Sequence, residues 1–81
     1  MTYIATFYSH FGAIRFKKLC TGRGWKAQVM PVPRDLSSSC GTCVRYEGEE
    51  LHPTAEIPEE VEQIVLVGTD GYVRQYMAEN S

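Results

Sequence analysis

Val61-Glu62-Gln63-Ile64-Val65-Leu66-Val67-Gly68-Thr69-Asp70-Gly71-Tyr72-Val73-Arg74-Gln75-Tyr76-Met77 is the stretch on which the fold turns. Pro58, just upstream, suits the first turn of a helix. Against that, Ile64-Val65-Leu66-Val67 is a β-rich run, Asp70-Gly71 is turn chemistry, and Tyr72 to Met77 again mixes aromatic and β-branched residues. Two such runs joined by Asp-Gly are a hairpin signal, and we read 61–78 as a C-terminal hairpin.

Working back from it, residues 47–60 are too acidic and too broken by Pro53 and Pro58 for a sheet and read as a loop, with room for a short helix starting at Pro58. Before this loop, Cys43-Val44-Arg45-Tyr46 reads as a strand. Trp25 to Met30 alternates well enough for another strand, whose exit is fixed as extended chain by Pro31 and Pro33. At the start, Tyr3 to Phe7 reads as a first strand, and Ser9 can cap a helix. From His10 to Thr21 the apolar positions Ala13, Phe16, Leu19 and Cys20 recur at helical spacing, with Arg15, Lys17 and Lys18 opposite and Gly22 or Gly24 as the stop. Strand, helix, strand, strand, acidic connection and strand pair make a small α+β sandwich with a mainly antiparallel sheet.

Eighty-one residues make one domain, 1–81, and a chain this short removes roughly 60% of its unfolded surface from water, so the core is modest. Apolar residues at 43% and charged residues at 22% exclude disorder and fibrous repeats. The N-terminal residues show neither a basic leader nor a long apolar run, and three cysteines, an odd number, fit a secreted disulfide framework poorly. The expectation is a cytoplasmic protein with free thiols and no membrane attachment. Net charge is −2, yet residues 1–46 carry seven Lys or Arg against Asp35 alone, while residues 47–81 carry nine acids against Arg74. A positive field favours thiolate and draws anionic partners, although cations on a helix are also an ordinary solvated face.

In the cationic half, Cys40-Gly41-Thr42-Cys43 follows Ser37-Ser38-Ser39 and the Pro31-Val32-Pro33-Arg34 corner. Thiols three residues apart can close a disulfide, hold one edge of a metal site or pass a sulfur atom, and their position at a strand entrance predicts a surface pair. Arg34 and Arg45 are close enough in sequence to hold Cys40 as thiolate. Backbone N–H groups around Ser38, Ser39 and Gly41 can form an anion nest, and Gly41 takes positive φ readily.

The block Pro31 to Gly41, continued by Cys43-Val44-Arg45-Tyr46 and preceded by Tyr3 to Ala13, resembles a family of small bacterial selenium/sulfur carrier-like proteins. The resemblance spans residues 3–46. It implies a ferredoxin-like α+β fold of β-α-β-β-α-β type, with one or two helices on one face of the sheet. It also implies that Cys40, after the serine run, is the carrier position.

A carrier needs a nucleophilic thiolate that accepts a chalcogen and a second thiol that takes it, and Cys40 and Cys43 supply both parts. No resident cofactor is expected, only a transient persulfide or selenide on Cys40. The partners would be protein donors and acceptors of sulfur or selenium, such as a cysteine desulfurase-like donor, and a homodimer is open. Two alternatives remain. One is a thiol-disulfide redox protein, although no helix opens at the cysteine pair. The other is a zinc or iron site in which Cys20, His10 or His52 completes a set begun by Cys40 and Cys43.

Cys20, on the apolar helix face, reads as a core thiol or as an accessory resolving thiol, and His10 as a local cap or a proton-handling neighbour of the cysteines. Trp25, Tyr46, Tyr72 and Tyr76 do not interleave with a basic cluster, so nucleic acid is not expected as a partner. No acid–base pair, phosphate-cradling loop or Ser-His-Asp set is visible, which favours a carrier over a stand-alone enzyme.

Overall fold

The computed structural model describes residues 1–49 and 59–78. Its elements are β1 (Thr2–Phe7), α1 (His10–Gly22), β2 (Lys26–Pro31), β3 (Thr42–Glu47), β4 (Val61–Gly68) and β5 (Gly71–Met77). The five strands form one sheet in the order β2-β3-β1-β4-β5, with every neighbouring pair antiparallel. This is a small α+β fold with one helix among the described residues. A second helix of the β-α-β-β-α-β scheme would fall on residues 50–58, outside those described, as does most of the acidic connection.

The local chemistry explains the elements. Ser9 has extended backbone and its Oγ accepts from the Gly12 N–H at 3.2 Å, satisfying one of the donors left free at the start of α1. At the other end Gly24 takes φ +78°, and its N–H bonds to Thr21 O at 3.0 Å, closing the helix. Pro31 is tolerated because β2 is an edge strand and no neighbour needs its missing N–H. In the hairpin, Gly68 pairs with Gly71 and Thr69-Asp70 form the two-residue turn.

β1 lies at the centre and is buried on both faces. Tyr3, Ala5 and Phe7 join Val44, Tyr46, Val61 and Ile64 beneath Ala13, Phe16 and Cys20 of α1. Aromatic rings fill this side. Tyr46 stacks on Tyr3 and Trp25 at centroid distances of 5.4 and 5.9 Å, meets Phe16 edge-on at 5.2 Å, and Phe16 tilts against Phe7 at 5.3 Å. Two close approaches fix the edges of this layer. A Cβ on Gly48 would overlap the Trp25 ring, and one on Gly12 would overlap Glu60.

On the opposite face the buried hydrophobic cluster is Ile4, Cys43 and Val65, packed by Met30, Val32, Leu36, Val67 and Tyr72. Val32 and Leu36 belong to the loop between β2 and β3, so a loop covers the end of the face that the helix does not.

Candidate functional site

That loop, residues 32–41, carries the cysteine motif. Its base is closed by the Val32 N–H donating to Gly41 O at 3.1 Å, and Gly41 takes φ +74°, a left-handed conformation that strains any side chain. Inside, the Leu36 N–H donates to Pro33 O at 3.0 Å, which turns Leu36 onto the sheet. The serine run then ties the loop down. Ser38 Oγ donates to Phe7 O at 3.2 Å, and Gln63 Nε2 donates to Ser37 O at 3.3 Å.

The strongest tie is Glu62. Its carboxylate accepts from Ser39 N at 3.2 Å, from Ser39 Oγ at 2.7 Å and from Thr6 Oγ1 at 3.2 Å. The backbone explains why Glu62 can reach. Thr6 pairs with Gln63 but Phe7 pairs with Val61, so Glu62 is an extra residue in β4, a bulge that re-aims its side chain. Nothing in the period of the strand announces a bulge, so sequence reasoning misses Glu62. Of the N–H groups expected to form an anion nest, that of Ser39 donates to this carboxylate of the chain itself.

The two motif cysteines have different surroundings. Cys40 is half-buried, packs against the helix-side cluster, and its Sγ donates to Thr42 O at 3.6 Å. Thr42 Oγ1 is in turn 2.6 Å from His10 Nδ1, at the first residue of α1. Cys43 is 0% exposed, belongs to the opposite cluster with Ile4 and Val65, and its Sγ donates to Pro31 O at 3.7 Å. Burial, with a smaller contribution from Cys40, pushes the Cys43 thiol up to about 11. The spacing predicted a surface pair, and on this point the structure corrects the sequence. One thiol borders solvent and the other is sealed, because the loop folds back across the start of β3.

The remaining candidates are dispersed. Arg34 is exposed on the loop, and Arg45 is exposed on β3, paired across the sheet with Ile4 and Gln28. Among the described residues no hydrogen bond or ion pair joins either arginine to Cys40. Cys20 is 0% exposed in the last turn of α1, ten residues from His10 and so about 15 Å along the axis. Burial raises its thiol to about 11, with Arg23 opposing. No three His, Cys, Asp or Glu side chains gather as a metal site among the described residues, and His52 lies outside them. No described helix is long and apolar enough to cross a membrane.

Fold and site together define a small α+β protein with one solvent-bordering thiol on a hydrogen-bonded loop. The chain matches the family described as "Putative Se/S carrier protein-like" over residues 2–65, and it belongs to that family. The match takes in the whole cysteine loop together with Glu62 and Gln63, which fasten it. Comparison with curated proteins and with solved structures finds no match.

Proposed function

We propose that this protein carries a single sulfur or selenium atom on Cys40, as a persulfide or its selenium counterpart, and moves it between protein partners. The observation that supports the reading best is the contrast among its thiols. Cys20 and Cys43 are fully buried and held protonated, while Cys40 alone borders water in the loop that the family match spans. A carrier needs one thiol that a donor can reach. Thr42, whose carbonyl accepts from the Cys40 thiol and whose hydroxyl meets His10, then stands as the polar neighbour of the loaded atom, and Gly41 gives the backbone its bend.

The donor is a persulfide-bearing protein such as a cysteine desulfurase, the acceptor a thiol protein, and the compartment a reducing one such as the cytoplasm. The excess of Lys and Arg in residues 1–46 suits partners that present acidic surfaces. Incubation with a cysteine desulfurase and cysteine tests the proposal by intact mass. A gain of one sulfur that vanishes in Cys40→Ser and persists in Cys20→Ala supports it; no gain on the folded wild type overturns it.

A further inference from the structure

Cys40 and Cys43 invite the view that one thiol loads and the other resolves. Their surroundings point elsewhere. Cys43 lies among Ile4, Val65, Met30 and Leu36 on the face away from α1, whereas Cys40 packs with the cluster beneath α1. Between Cys43 and water stands the 32–41 loop, fastened through Ser37, Ser38 and Ser39 to Gln63, Phe7 and Glu62. Cys20 is no better placed, sealed at the far end of the helix from His10.

We infer that the chalcogen on Cys40 leaves only by transfer to a thiol on another molecule, and that Cys43 is a structural residue with no part in the exchange. This rests on the reading of Cys40 as the loaded thiol. The two routes differ in their products. On the internal route, the Cys43 thiolate attacks Cys40 Sγ, the bond to the outer sulfur breaks, hydrosulfide departs with that bonding pair, and a Cys40–Cys43 disulfide remains. The cargo is then lost as free sulfide. On the external route, an acceptor thiolate attacks the outer sulfur, the same bond breaks with its electron pair going to Cys40, and the acceptor ends as the persulfide. Cys40 returns as thiolate, takes a proton from solvent, and no net oxidation occurs.

The internal route needs Cys43 as an accessible thiolate aligned with the sulfur–sulfur bond. It is buried on the other side of the sheet, and with its thiol raised to about 11 only on the order of one molecule in 10⁴ ionises at neutral pH. The fold therefore stores the atom without an internal reaction that discards it.

Two probes test this on the full chain. In the first, the reduced protein is exposed to glutathione disulfide, so that Cys40 takes one glutathione and releases the other. An adduct on Cys40 that persists for hours, equally in wild type and in Cys43→Ala, supports the inference. An adduct that decays in wild type to a protein lighter by two hydrogens, with Cys40 and Cys43 linked in the peptide map, overturns it. The wild-type measurement decides even where Cys43→Ala fails to fold. In the second, the protein is loaded with inorganic polysulfide and desalted. Retention of one sulfur, with no sulfide in solution until reduced glutathione is added, supports the inference, and stoichiometric sulfide without any acceptor overturns it. A stable glutathione adduct on a protein that takes up no sulfur sinks the carrier reading and leaves Cys43 structural.

Discussion

Under α1, the sheet is closed by rings: Tyr46 lies between Tyr3 and Trp25 and meets the edge of Phe16, and Ala13 and Cys20 complete the layer. Across the sheet, Ile4, Cys43 and Val65 are closed by a loop whose hold on the strands comes largely from three serines, a carboxamide and a carboxylate. The first cover is cohesive hydrocarbon, strong and non-directional. The second is a set of hydrogen bonds, each worth about 0.5–1.5 kcal/mol net and dependent on geometry. The difference teaches where chemistry can be tolerated. The thiol that borders water, Cys40, stands at the end of the polar cover.

Substitutions can break the comparison from either side. Phe16→Ala should cost the most, about 3–5 kcal/mol, because a fully buried ring in two aromatic contacts leaves a cavity. Urea denaturation checks the loss. Alkylation of Cys43 in the protein that remains folded should stay as slow as in wild type, since its cover lies on the opposite face.

Alkali comes next and acts on both sides at once. Cys20 and Cys43 have thiols raised from 9.0 to about 11 in the folded state, so the folded chain holds those protons more tightly than the unfolded one. Their contribution is complete below about pH 9 and is lost as pH rises through about 11, each thiol giving up about 1.4 kcal/mol for every pH unit crossed between those two values. The midpoint of urea unfolding followed across this range should fall. The slope should flatten in the Cys20→Ala/Cys43→Ala double variant.

Glu62→Ala separates the two covers. It removes the acceptor of the buried Thr6 hydroxyl and of two Ser39 donors, a loss of about 1–3 kcal/mol. The informative readout is selective. Alkylation of Cys43 in the native state should accelerate while that of Cys20 stays slow, and equal acceleration of both would show that the loop is not a separate cover. Ser9→Ala is the smallest change, about 1 kcal/mol from the lost cap of α1, and should leave the ratio of Cys43 to Cys40 alkylation untouched.

Much of the helix-covered side was legible in the chain. The spacing of Ala13, Phe16 and Cys20 marks the buried face of α1, Ser9 marks its start, and Asp70-Gly71 between two β-rich runs marks the hairpin, whose turn falls one residue earlier than that pair, at Thr69-Asp70. Such signals are local, a few residues long, and set by backbone geometry. The site was legible only in part. The serine run and Gly41 announce a bent, hydrogen-bonded loop, but which of the motif's two thiols is sealed depends on where that loop lands. That landing is set by Glu62 and Gln63, more than twenty residues away, and by a bulge that no pattern of hydropathy encodes. Arg34 and Arg45 are a similar case. Closeness in sequence suggested them, but both are exposed, Arg34 on the loop and Arg45 on β3, and among the described residues neither has a hydrogen bond or ion pair to Cys40.

The stacking of Trp25 on Tyr46 has an optical consequence. The chain has one tryptophan, with Arg23 5.2 Å above its ring, and it sits by the end of β3 at Gly48 while the cysteine loop enters at Thr42, six residues or roughly 20 Å along the strand. Its emission therefore reports whether the aromatic layer is intact and is blind to release of the loop. Fluorescence and cysteine labelling, recorded on the same sample, distinguish a molecule that has melted from one that has only uncovered a thiol.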